Sequence, residues 1–449
     1  MSYKESICAL RWGYPNISLT RSEIRTCCKT PFQSVSDNDI KEYGINLFLN
    51  TKYQKERRLE MLKGVRHQSC NQCWEVEDQG ASSLRLAYGS PDQSFDYYAR
   101  HSNMYNGNLS LKDISKIATL ESAVVESHRP FMLEVSLGNT CDMKCMYCNH
   151  VYSSQWATEG LKNKRLSIQD YKAAISKPEE KFTKLFWEWV DVEAKHSLDR
   201  IGVIGGEPLI TPEFYDFADR LLETYKDVPH NDTTIWIVTN MNSEAKYFDK
   251  FIDYIPKLNK KFKLEIHISI ESTHEQAEYI RNGLDWNVFE NNVDRLFDLT
   301  KNINRVTIAF LPSINALSIP RFKNFLMWVY ELSKKYNKIP MLKQNIVNYP
   351  QPHSPFILPK EFADYLDSAI ECLYTIQKNI PRFSEWESYN VFLTDLRNSI
   401  RNGGEGKTEL RGKFFNWFGD FDKLRNLNFK ETFPELIEFY NLCEKHKNA

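Results

Sequence analysis

Residues 131–148 read Phe131-Met-Leu-Glu-Val-Ser-Leu-Gly-Asn-Thr-Cys-Asp-Met-Lys-Cys-Met-Tyr-Cys148. The first seven residues have the composition of a β-strand, and the last eight place Cys141, Cys145 and Cys148 on one short loop. Three thiolates on such a loop can bind three irons of a 4Fe-4S cluster, and the absent fourth ligand leaves one iron open for a small molecule. The same cysteines with a distant fourth ligand would form a zinc site instead.

The region around this loop, from about residue 131 to 350, alternates short apolar runs with longer amphipathic stretches. That alternation is typical of strand–helix units around a parallel sheet, so the predicted fold class is α/β. The predicted strands are 131–137, 200–204, 234–239, 264–270, 305–311 and 345–347. Helices are predicted over 212–225, with Thr211 as N-cap, and after Ser167, with Asp170 as its capping partner.

Six such units with right-handed crossovers would curl the sheet into a partial (β/α)6 barrel. In such folds the ligand site lies at the carboxyl ends of the strands, which is where the cysteine loop falls. Residues 1–125 lack the alternation and are predicted to form a separate domain, with a boundary near 122–130 and a core over 126–350. The C-terminal region, 351–449, is predicted to be helical over 359–377, 385–400 and 433–446, with a flexible connection at 401–407.

The composition narrows the class of protein. The formal net charge is -1, from 58 basic and 59 acidic residues, so no overall field attracts the chain to nucleic acid. No apolar run approaches the length of a membrane span, and the first residues lack the pattern of a signal peptide, so we expect a cytoplasmic protein without a membrane partner. Ten cysteines in such a chain indicate metal binding or catalysis rather than disulfides.

The CxxxCxxC spacing, with Tyr147 directly before the last cysteine, resembles the cluster loop of the radical S-adenosylmethionine (SAM) enzymes. A second resemblance lies at the end of the second predicted strand, where Gly205-Gly206-Glu207-Pro208 matches the family's GGEP motif. In the family this segment binds the amino group of the methionine moiety of SAM. The resemblance therefore implies a radical SAM core barrel with Gly205, Gly206 and Glu207 as cofactor contacts.

The fourth predicted strand, Leu264-Glu-Ile-His-Ile-Ser-Ile-Glu271, alternates strictly between apolar and polar residues. Because successive side chains of a strand point to opposite faces, the apolar residues are predicted to face the outer helices and the polar ones to face inward, lining a wet cavity. His267 fits this cavity or the role of an ordinary interior histidine. Glu134 and Ser136 of the first strand share the inward orientation and are predicted either to touch substrate or simply to pack.

The same strand extends the resemblance to the radical SAM enzymes. Ser269 and Glu271 match the family's Ser-x-Asp or Ser-x-Glu position near the ribose and methionine groups of SAM. Arg281 resembles the arginine that follows this strand and pairs with the methionine carboxylate. Asn240, at the end of the third strand, falls where the family often contacts cofactor or substrate.

The activity that this resemblance implies begins with SAM bound at the open iron of the 4Fe-4S cluster. One electron, from an external reductant such as flavodoxin or ferredoxin, cleaves the carbon–sulfur bond, and the 5'-deoxyadenosyl radical abstracts hydrogen from an unidentified substrate. That substrate would be a small metabolite, a sugar or nucleotide derivative, or a peptide, and no catalytic residue is predicted. The alternative is a non-catalytic iron-sulfur protein for electron transfer or scaffolding, which would need neither the GGEP turn nor the polar strand.

A second set of cysteines precedes the predicted core: Cys8, the pair Cys27-Cys28, and Cys70-Asn-Gln-Cys73. Four thiolates could hold a 4Fe-4S cluster or a zinc ion. The set, with Trp74 and an acidic residue after the CxxC, resembles the twitch domain, a half-sized relative of the SPASM domain that carries an auxiliary 4Fe-4S cluster in many radical SAM enzymes. Twitch and SPASM domains usually follow the barrel, whereas this set precedes it. Because adjacent side chains are expected to point apart, only one of Cys27 and Cys28 is predicted to be a ligand.

Overall fold

The structure is a computed structural model that describes residues 6–78, 83–89, 126–127, 129–228, 232–403 and 406–449. The predicted boundary at 122–130 and the later part of the predicted 1–125 domain lie largely outside these residues. The strands are β1 Pro15–Ser18, β2 Glu23–Thr26, β3 Gln33–Ser34, β4 Met132–Ser136, β5 Lys144–Cys145, β6 Arg200–Ile204, β7 Thr234–Thr239, β8 Lys263–Ile268, β9 Arg281–Asn282, β10 Val306–Phe310 and β11 Met341–Leu342.

Helices connect and cover these strands, as expected for an α/β protein. They are α1 Leu10–Gly13, α2 Asp37–Tyr43, α3 Lys52–Leu62, α4 Asn71–Asp78, α5 Leu84–Gly89, α6 Ser154–Lys162, α7 Ile168–Ala174, α8 Glu180–Val192, α9 Pro212–Thr224, α10 Ala245–Asn259, α11 His274–Ile280, α12 Trp286–Thr300, α13 Phe322–Tyr336, α14 Ala363–Asn379, α15 Glu387–Asn402, α16 Thr408–Arg425, α17 Phe429–Thr432 and α18 Ile437–Glu444. In the described parts of the chain, no helix is both long enough and apolar enough to cross a bilayer.

The chain forms two compact units, and the first contains residues 1–140, 161–237 and 257–263. Its strands lie side by side in the order β7-β6-β4-β1-β2-β3. Strands β7, β6, β4 and β1 are parallel to their neighbours in this order, and β2 is antiparallel to both β1 and β3. Buried Val, Ile and Leu side chains dominate the parallel strands, as expected for a sheet covered on both faces. Helix α8 buries Phe182, Phe186 and Trp189, spaced four and three residues apart along one helix face.

The second unit contains residues 141–160, 238–256 and 264–449. Strands β8, β10 and β11 are parallel neighbours, whereas β5 and β9 form a separate antiparallel pair. Helices α11 to α18 belong to this unit, and aromatic side chains of α16 pack around Tyr279 of α11. The ring centroids of Tyr279 and Phe421 lie 5.4 Å apart, within the range of favourable aromatic pairs.

Five of the six predicted strands agree with the structure to within a few residues, and the sixth prediction, 345–347, is wrong. The last strand of this sheet is β11, Met341–Leu342, whereas residues 345–347 form an isolated bridge between Ile346 and Ile314. The reason is that β10 ends at Phe310, and Pro312 has no backbone N–H with which to continue the ladder. Whether the strands curl into a partial barrel stays a prediction.

The other sequence predictions have mixed outcomes. Ser167 accepts the Asp170 N–H as the predicted N-cap of α7, and the helices predicted over 359–377 and 385–400 match α14 and α15. Thr211 begins α9 but makes no side-chain cap, because its hydroxyl donates to the carbonyl of Pro208. Helix α16 was not predicted. Strand β1 of the N-terminal region pairs with β4 of the predicted core, and the division into three domains stays a prediction.

Candidate functional site

Hydrogen bonds hold the cysteine loop in place. None of its three thiols is in a disulfide. The N–H of Cys141 donates to the Ser154 hydroxyl at 3.1 Å, and the indole N–H of Trp156 donates to the carbonyl of Cys145 at 2.9 Å. The N–H of Cys148 closes a turn onto that same carbonyl at 3.0 Å. Helix α6 therefore supports the loop through the two side chains at its start.

Strand β5 brings Cys145 opposite Arg281, because Cys145 and Arg281 are register partners in the β5–β9 pair. One guanidinium nitrogen, Nη2, donates to Glu271 Oε2 at 2.5 Å, and the other, Nη1, lies 4.0 Å from the Cys145 sulfur. The Tyr147 hydroxyl donates to Glu271 at 3.1 Å, and Arg281 lies over the Tyr147 ring. Two predicted cofactor contacts, Glu271 and Arg281, thus lie together beside a predicted iron ligand.

Charge and burial shape this cluster. Burial alone would lower the pKa of Arg281, but the carboxylate of Glu271 outweighs it and the pKa is raised above its ordinary value. Removal from water raises the pKa of Cys145 to about 12 and that of Cys148 to about 11, while Arg281 acts in the opposite direction on both. Without a metal these thiols are protonated at neutral pH, so binding of a metal must release protons.

Asn240 contacts the loop from the end of β7. Its amide donates to Asp142 Oδ1 at 2.7 Å, and Asn242 donates to Asp142 Oδ2 at 3.1 Å. On the other side of Asp142, a Cβ added to Gly283 would lie 2.8 Å from the Asp142 carbonyl oxygen. Because φ of Gly283 is also +107°, only glycine fits this close approach. The structure therefore places Asn240 as a residue that positions the cysteine loop.

The GGEP turn lies in the first unit, at the end of β6. A Cβ added to Gly205 would lie 2.2 Å from the Ser136 hydroxyl, and one added to Gly206 would lie 2.2 Å from the Thr140 carbonyl. Both glycines have positive φ, +92° and +52°, and the N–H of Glu207 donates to that Thr140 carbonyl at 2.7 Å. The turn therefore packs against the backbone that leads directly into Cys141.

The predicted inward residues of the fourth strand lie on β8 and just beyond it. His267 contacts Glu265 at 3.0 Å, and Lys343 lies 3.4 Å from the same carboxylate. Ser269 is half-buried, and its N–H donates to the carbonyl of Thr239 at 2.9 Å. Tyr147, Asp142 and Asn242 were not predicted as site residues, although the position of Tyr147 directly before Cys148 could have indicated its role.

The N-terminal cysteines lie in the first unit, where Cys8, Cys27, Cys70 and Cys73 are buried and Cys28 is half-buried. Burial, reinforced by the nearby charges of Cys70 and Cys73, raises the pKa of Cys8 to about 12. The Arg11 guanidinium donates to the Ser69 hydroxyl at 2.6 Å, so the segment that contains Cys8 lies beside the segment that contains Cys70.

Arg11 lies beside this group and was not predicted from the sequence. It is 2% exposed, and its guanidinium donates to the Thr26 carbonyl, the Thr26 hydroxyl and, at 2.6 Å, the Ser69 hydroxyl. Its Nε has no hydrogen-bond partner, and among the described residues no carboxylate lies within 4.0 Å of the guanidinium. A buried cation without a counter-ion is costly, so this position favours an anionic group nearby.

Cys27 and Cys28 act on each other. The Cys28 thiol is the main cause that raises the pKa of Cys27, and the Cys27 thiol is the main cause that lowers the pKa of Cys28. The backbone at Cys27 has a φ of +82°, and the expectation that only one of the two cysteines is a ligand stays a prediction. Cys27 is also influenced by Cys8, whereas Cys28 is influenced by Glu134 and Arg25.

No group of three or more His, Cys, Asp or Glu side chains in the described ranges is arranged to hold a metal ion.

Comparisons with solved structures give matches at low overall similarity. Native anSMEcpe with bound AdoMet is 17% identical, with a TM-score of 0.36, over 55% of this chain and 62% of that chain. The same protein with AdoMet and a Cp18Cys peptide gives 17% and 0.36, over 55% and 61%. Streptococcus suis SuiB bound to precursor peptide SuiA is 10% identical, with a TM-score of 0.27, over 75% and 72%.

This chain thus spans 62% of the length of the anSMEcpe chain that it matches. No protein-family model matches this chain, and no curated protein matches it. Because the TM-scores lie below 0.5, we base the proposed function on the side chains of this chain.

Proposed function

We propose that this protein is a radical SAM enzyme whose 4Fe-4S cluster is held by Cys141, Cys145 and Cys148. The observation that carries the proposal is the register of Cys145 opposite Arg281, whose guanidinium reaches both the Cys145 sulfur and the Glu271 carboxylate. A three-cysteine loop next to a buried ion pair suits a cluster with one open iron and a charged ligand on it.

The side chains around the loop fit this cofactor. None of the three thiols is in a disulfide, and Met143 and Met146 of the same loop are buried. The Arg281 Nε is buried and has no hydrogen-bond partner among the described residues. We assign its N–H to the methionine carboxylate of SAM, because that carboxylate supplies the acceptor that the free edge of the guanidinium lacks.

The other SAM contacts follow from the motifs. Gly205 and Gly206 have no side chains, so backbone groups of the turn can approach a ligand closely, and Glu207 is assigned to the SAM amino group. Glu271 fixes Arg281, and Asn240 fixes the cysteine loop through Asp142. Ser269 is assigned to the ribose side.

When bound, the cluster and SAM supply the difficult chemistry: one electron cleaves SAM to methionine and a 5'-deoxyadenosyl radical, which abstracts a hydrogen atom from the substrate. The residues described above bind, orient and shield these groups. The electron would come from an external one-electron donor of the flavodoxin or ferredoxin type. The free thiols and the need for a reductant suit the predicted cytoplasmic location.

We further propose that Cys8, Cys70, Cys73 and one of Cys27 and Cys28 hold an auxiliary 4Fe-4S cluster of the twitch type. Arg11 supports this assignment, because a cluster with four thiolates is anionic and would compensate the buried guanidinium. Cys27 is favoured over Cys28 because it is buried and lies within the electrostatic reach of Cys8.

The test is the formation of 5'-deoxyadenosine by protein reconstituted with iron and sulfide without oxygen, then supplied with dithionite and SAM. The wild type should produce it, and Cys145→Ala should produce at least about 100-fold less, because a cluster that loses one of its three protein ligands is no longer held at the loop. Cys372→Ala is the matched control, since Cys372 is a half-buried thiol of α14.

The control variant Cys372→Ala should form as much 5'-deoxyadenosine as the wild type. Wild-type protein that binds iron but forms no more 5'-deoxyadenosine than Cys145→Ala would disprove the enzyme and favour the non-catalytic iron-sulfur protein.

A further inference from the structure

The last turn of α16 packs against α6, the helix that supports the cysteine loop, within the second unit. Arg425, which ends α16, donates through Nη2 to Glu159 Oε2 of α6 at 2.6 Å, across 266 positions of sequence. The Arg425 side chain is 2% exposed, and its guanidinium carbon lies 4.6 Å from the ring centroid of Trp156 and 3.9 Å from that of Phe421. A cation that is buried, paired and stacked in this way is a fixed contact, because breaking it would leave a charge without a partner.

Both residues of α6 that Arg425 contacts also hold the cysteine loop. The indole N–H of Trp156 donates to the carbonyl of Cys145 at 2.9 Å. The second carboxylate oxygen of Glu159 pairs with Nζ of Lys144, also at 2.9 Å. Lys144 and Cys145 are the two residues of β5. The end of α16 thus reaches each residue of this strand through one intermediate side chain.

The same turn of α16 is tied to the strand that pairs with β5. The Tyr279 hydroxyl of α11 donates to Asp422 Oδ1 at 2.6 Å, and the Tyr279 ring packs on Phe421. Helix α11 ends directly before Arg281 of β9. The last turn of α16 therefore contacts the chain on both sides of the β5–β9 pair, whose register brings Cys145 opposite Arg281. Side chains locked by packing in this way can hold a binding group in a defined geometry.

We propose that Arg425 is a positioning residue for the proposed cluster: it fixes Trp156, which in turn fixes the carbonyl and hence the thiol of Cys145. Its effect on the cluster rests on the proposed function, whereas its effect on the order of the loop does not. The Cys145 carbonyl also accepts the N–H of Cys148 at 3.0 Å, so a shift of this carbonyl displaces two of the three cysteines. The C-terminal region, for which the sequence predicts helices but no role, thus takes part in the site.

The first test uses protein reconstituted with iron and sulfide without oxygen, reduced with dithionite and titrated with SAM. The change that SAM causes in the EPR spectrum reports on the loop cluster, because that cluster has the open iron. Arg425→Met and Trp156→Phe should each weaken this response to SAM about 10- to 100-fold, as expected when a group that orients a metal ligand is lost. Arg425→Lys should recover part of the response, since it keeps the charge but not the planar stacking group.

The double variant decides whether Arg425 acts through Trp156. If it does, Arg425→Met with Trp156→Phe should be no worse than the weaker of the two single variants, because both changes break one chain of contacts. Arg397→Met is the matched control: it removes the pair with Asp367, at 2.8 Å, that joins α15 to α14, and should respond to SAM as the wild type does.

The second test is hydrogen exchange of the metal-free protein, which does not depend on the proposed function. The backbone N–H groups of residues 141–148 should exchange about tenfold faster in Arg425→Met and Trp156→Phe than in the wild type. Those of β10 and α13 should be unchanged, which separates a local effect from a loss of the whole fold. Arg397→Met should leave exchange in the loop as it is.

Effects of Arg425→Met and Trp156→Phe that multiply in the double variant, or loop exchange that neither change alters, would overturn the positioning role. If Arg425→Met does not fold, Trp156→Phe, which keeps an aromatic ring at the contact, still tests the same route through loop exchange and the response to SAM. Wild-type protein that forms no 5'-deoxyadenosine would disprove the proposed function, whereas the exchange experiment would still decide what Arg425 does to the loop.

Discussion

The two cysteine sets of this protein differ in how their sulfur atoms are brought together and in how the nearest arginine is balanced. The loop set, Cys141 to Cys148, lies within eight residues, and Arg281 beside it is neutralised by Glu271 at 2.5 Å. The N-terminal set comes from chain segments about sixty residues apart, and Arg11 beside it donates to neutral oxygen atoms in the part of the chain that the structure describes.

This difference indicates what each site can hold. At the loop, the ion pair is complete before any cofactor binds, so an added ligand must arrive with its own charge balanced, as zwitterionic parts of SAM do. At the N-terminal set, the protein supplies a positive charge that nothing in the described chain compensates, so an anionic group stabilises the site. Variants of each cysteine set and of its arginine test this difference.

The largest effect is expected when each set is removed in turn. Cys70→Ala with Cys73→Ala, and Cys141→Ala with Cys148→Ala, should each halve the iron content, from about eight to about four per chain. Only the double change at Cys141 and Cys148 should abolish the formation of 5'-deoxyadenosine, because SAM is assigned to the loop cluster. Iron analysis and product chromatography measure the two outcomes. An unchanged iron content after loss of Cys70 and Cys73 would disprove the assignment of an auxiliary cluster.

A large effect on stability is expected for Arg281→Met. The change leaves Glu271, which is 1% exposed, without its counter-ion, and should lower the free energy of unfolding by about 3–5 kcal/mol. Denaturant unfolding of the metal-free protein measures it. Arg295→Met is the matched control, because it breaks the exposed pair with Asp249 and should cost less than about 1 kcal/mol. Equal effects of the two changes would contradict a buried ion pair.

Arg11→Met should affect the binding of iron more than the stability of the protein. Arg11 donates three buried hydrogen bonds but has no carboxylate partner among the described residues, so the metal-free protein should lose about 1–3 kcal/mol, less than in Arg281→Met. The N-terminal iron, however, should be bound about 10- to 100-fold more weakly, since a group that supports metal ligands is lost. Competition with a chelator measures this, and Lys41→Met, an exposed change on α2, is the control. Unchanged iron binding would show that Arg11 does not face the cofactor.

A smaller effect should separate Cys27 from Cys28. Cys27→Ala should lower the N-terminal iron partially, because the Cys28 thiol is hydrogen-bonded to that of Cys27 and can replace it in part. Cys28→Ala should leave the iron content at the wild-type value. Iron analysis of the two variants side by side decides the ligand, and the reverse pattern would assign it to Cys28.

The smallest effect concerns pH, and here the two sets should agree. Burial raises the pKa of both Cys8 and Cys145 to about 12 in the folded, metal-free protein. The stability that this provides is complete below the unfolded pKa near 9 and is lost as pH rises toward 12, by at most about 1.4 kcal/mol per pH unit and thiol. Cys8→Ala and Cys145→Ala should each flatten the decline of unfolding free energy between pH 9 and 10. A wild-type stability that does not fall in this range would contradict the buried thiols.

Local sequence patterns predicted many of the strands and helices of this molecule. The apolar runs of β4, β6, β7 and β10 predict strands because a buried parallel strand needs a nearly continuous set of apolar residues, and the strict alternation of β8 predicts a strand as well. Helix α16 was missed because Gly412 and Gly419 and the preceding Gly-rich connection weaken its pattern. Strand β11 was misplaced because two residues carry too little pattern to locate a strand.

The sequence by itself determined that three thiols share one loop, because their spacing fixes them within a few residues of chain. It also determined the close approach at Gly205 and Gly206, because only glycine tolerates that backbone. The tertiary structure alone decided the pairing of Arg281 with Glu271, the hydrogen bond that joins Arg11 to Ser69 next to Cys70, and the register that pairs β1 with β4. These features depend on strand register and long-range packing, which set distances between residues that the order of the chain leaves open.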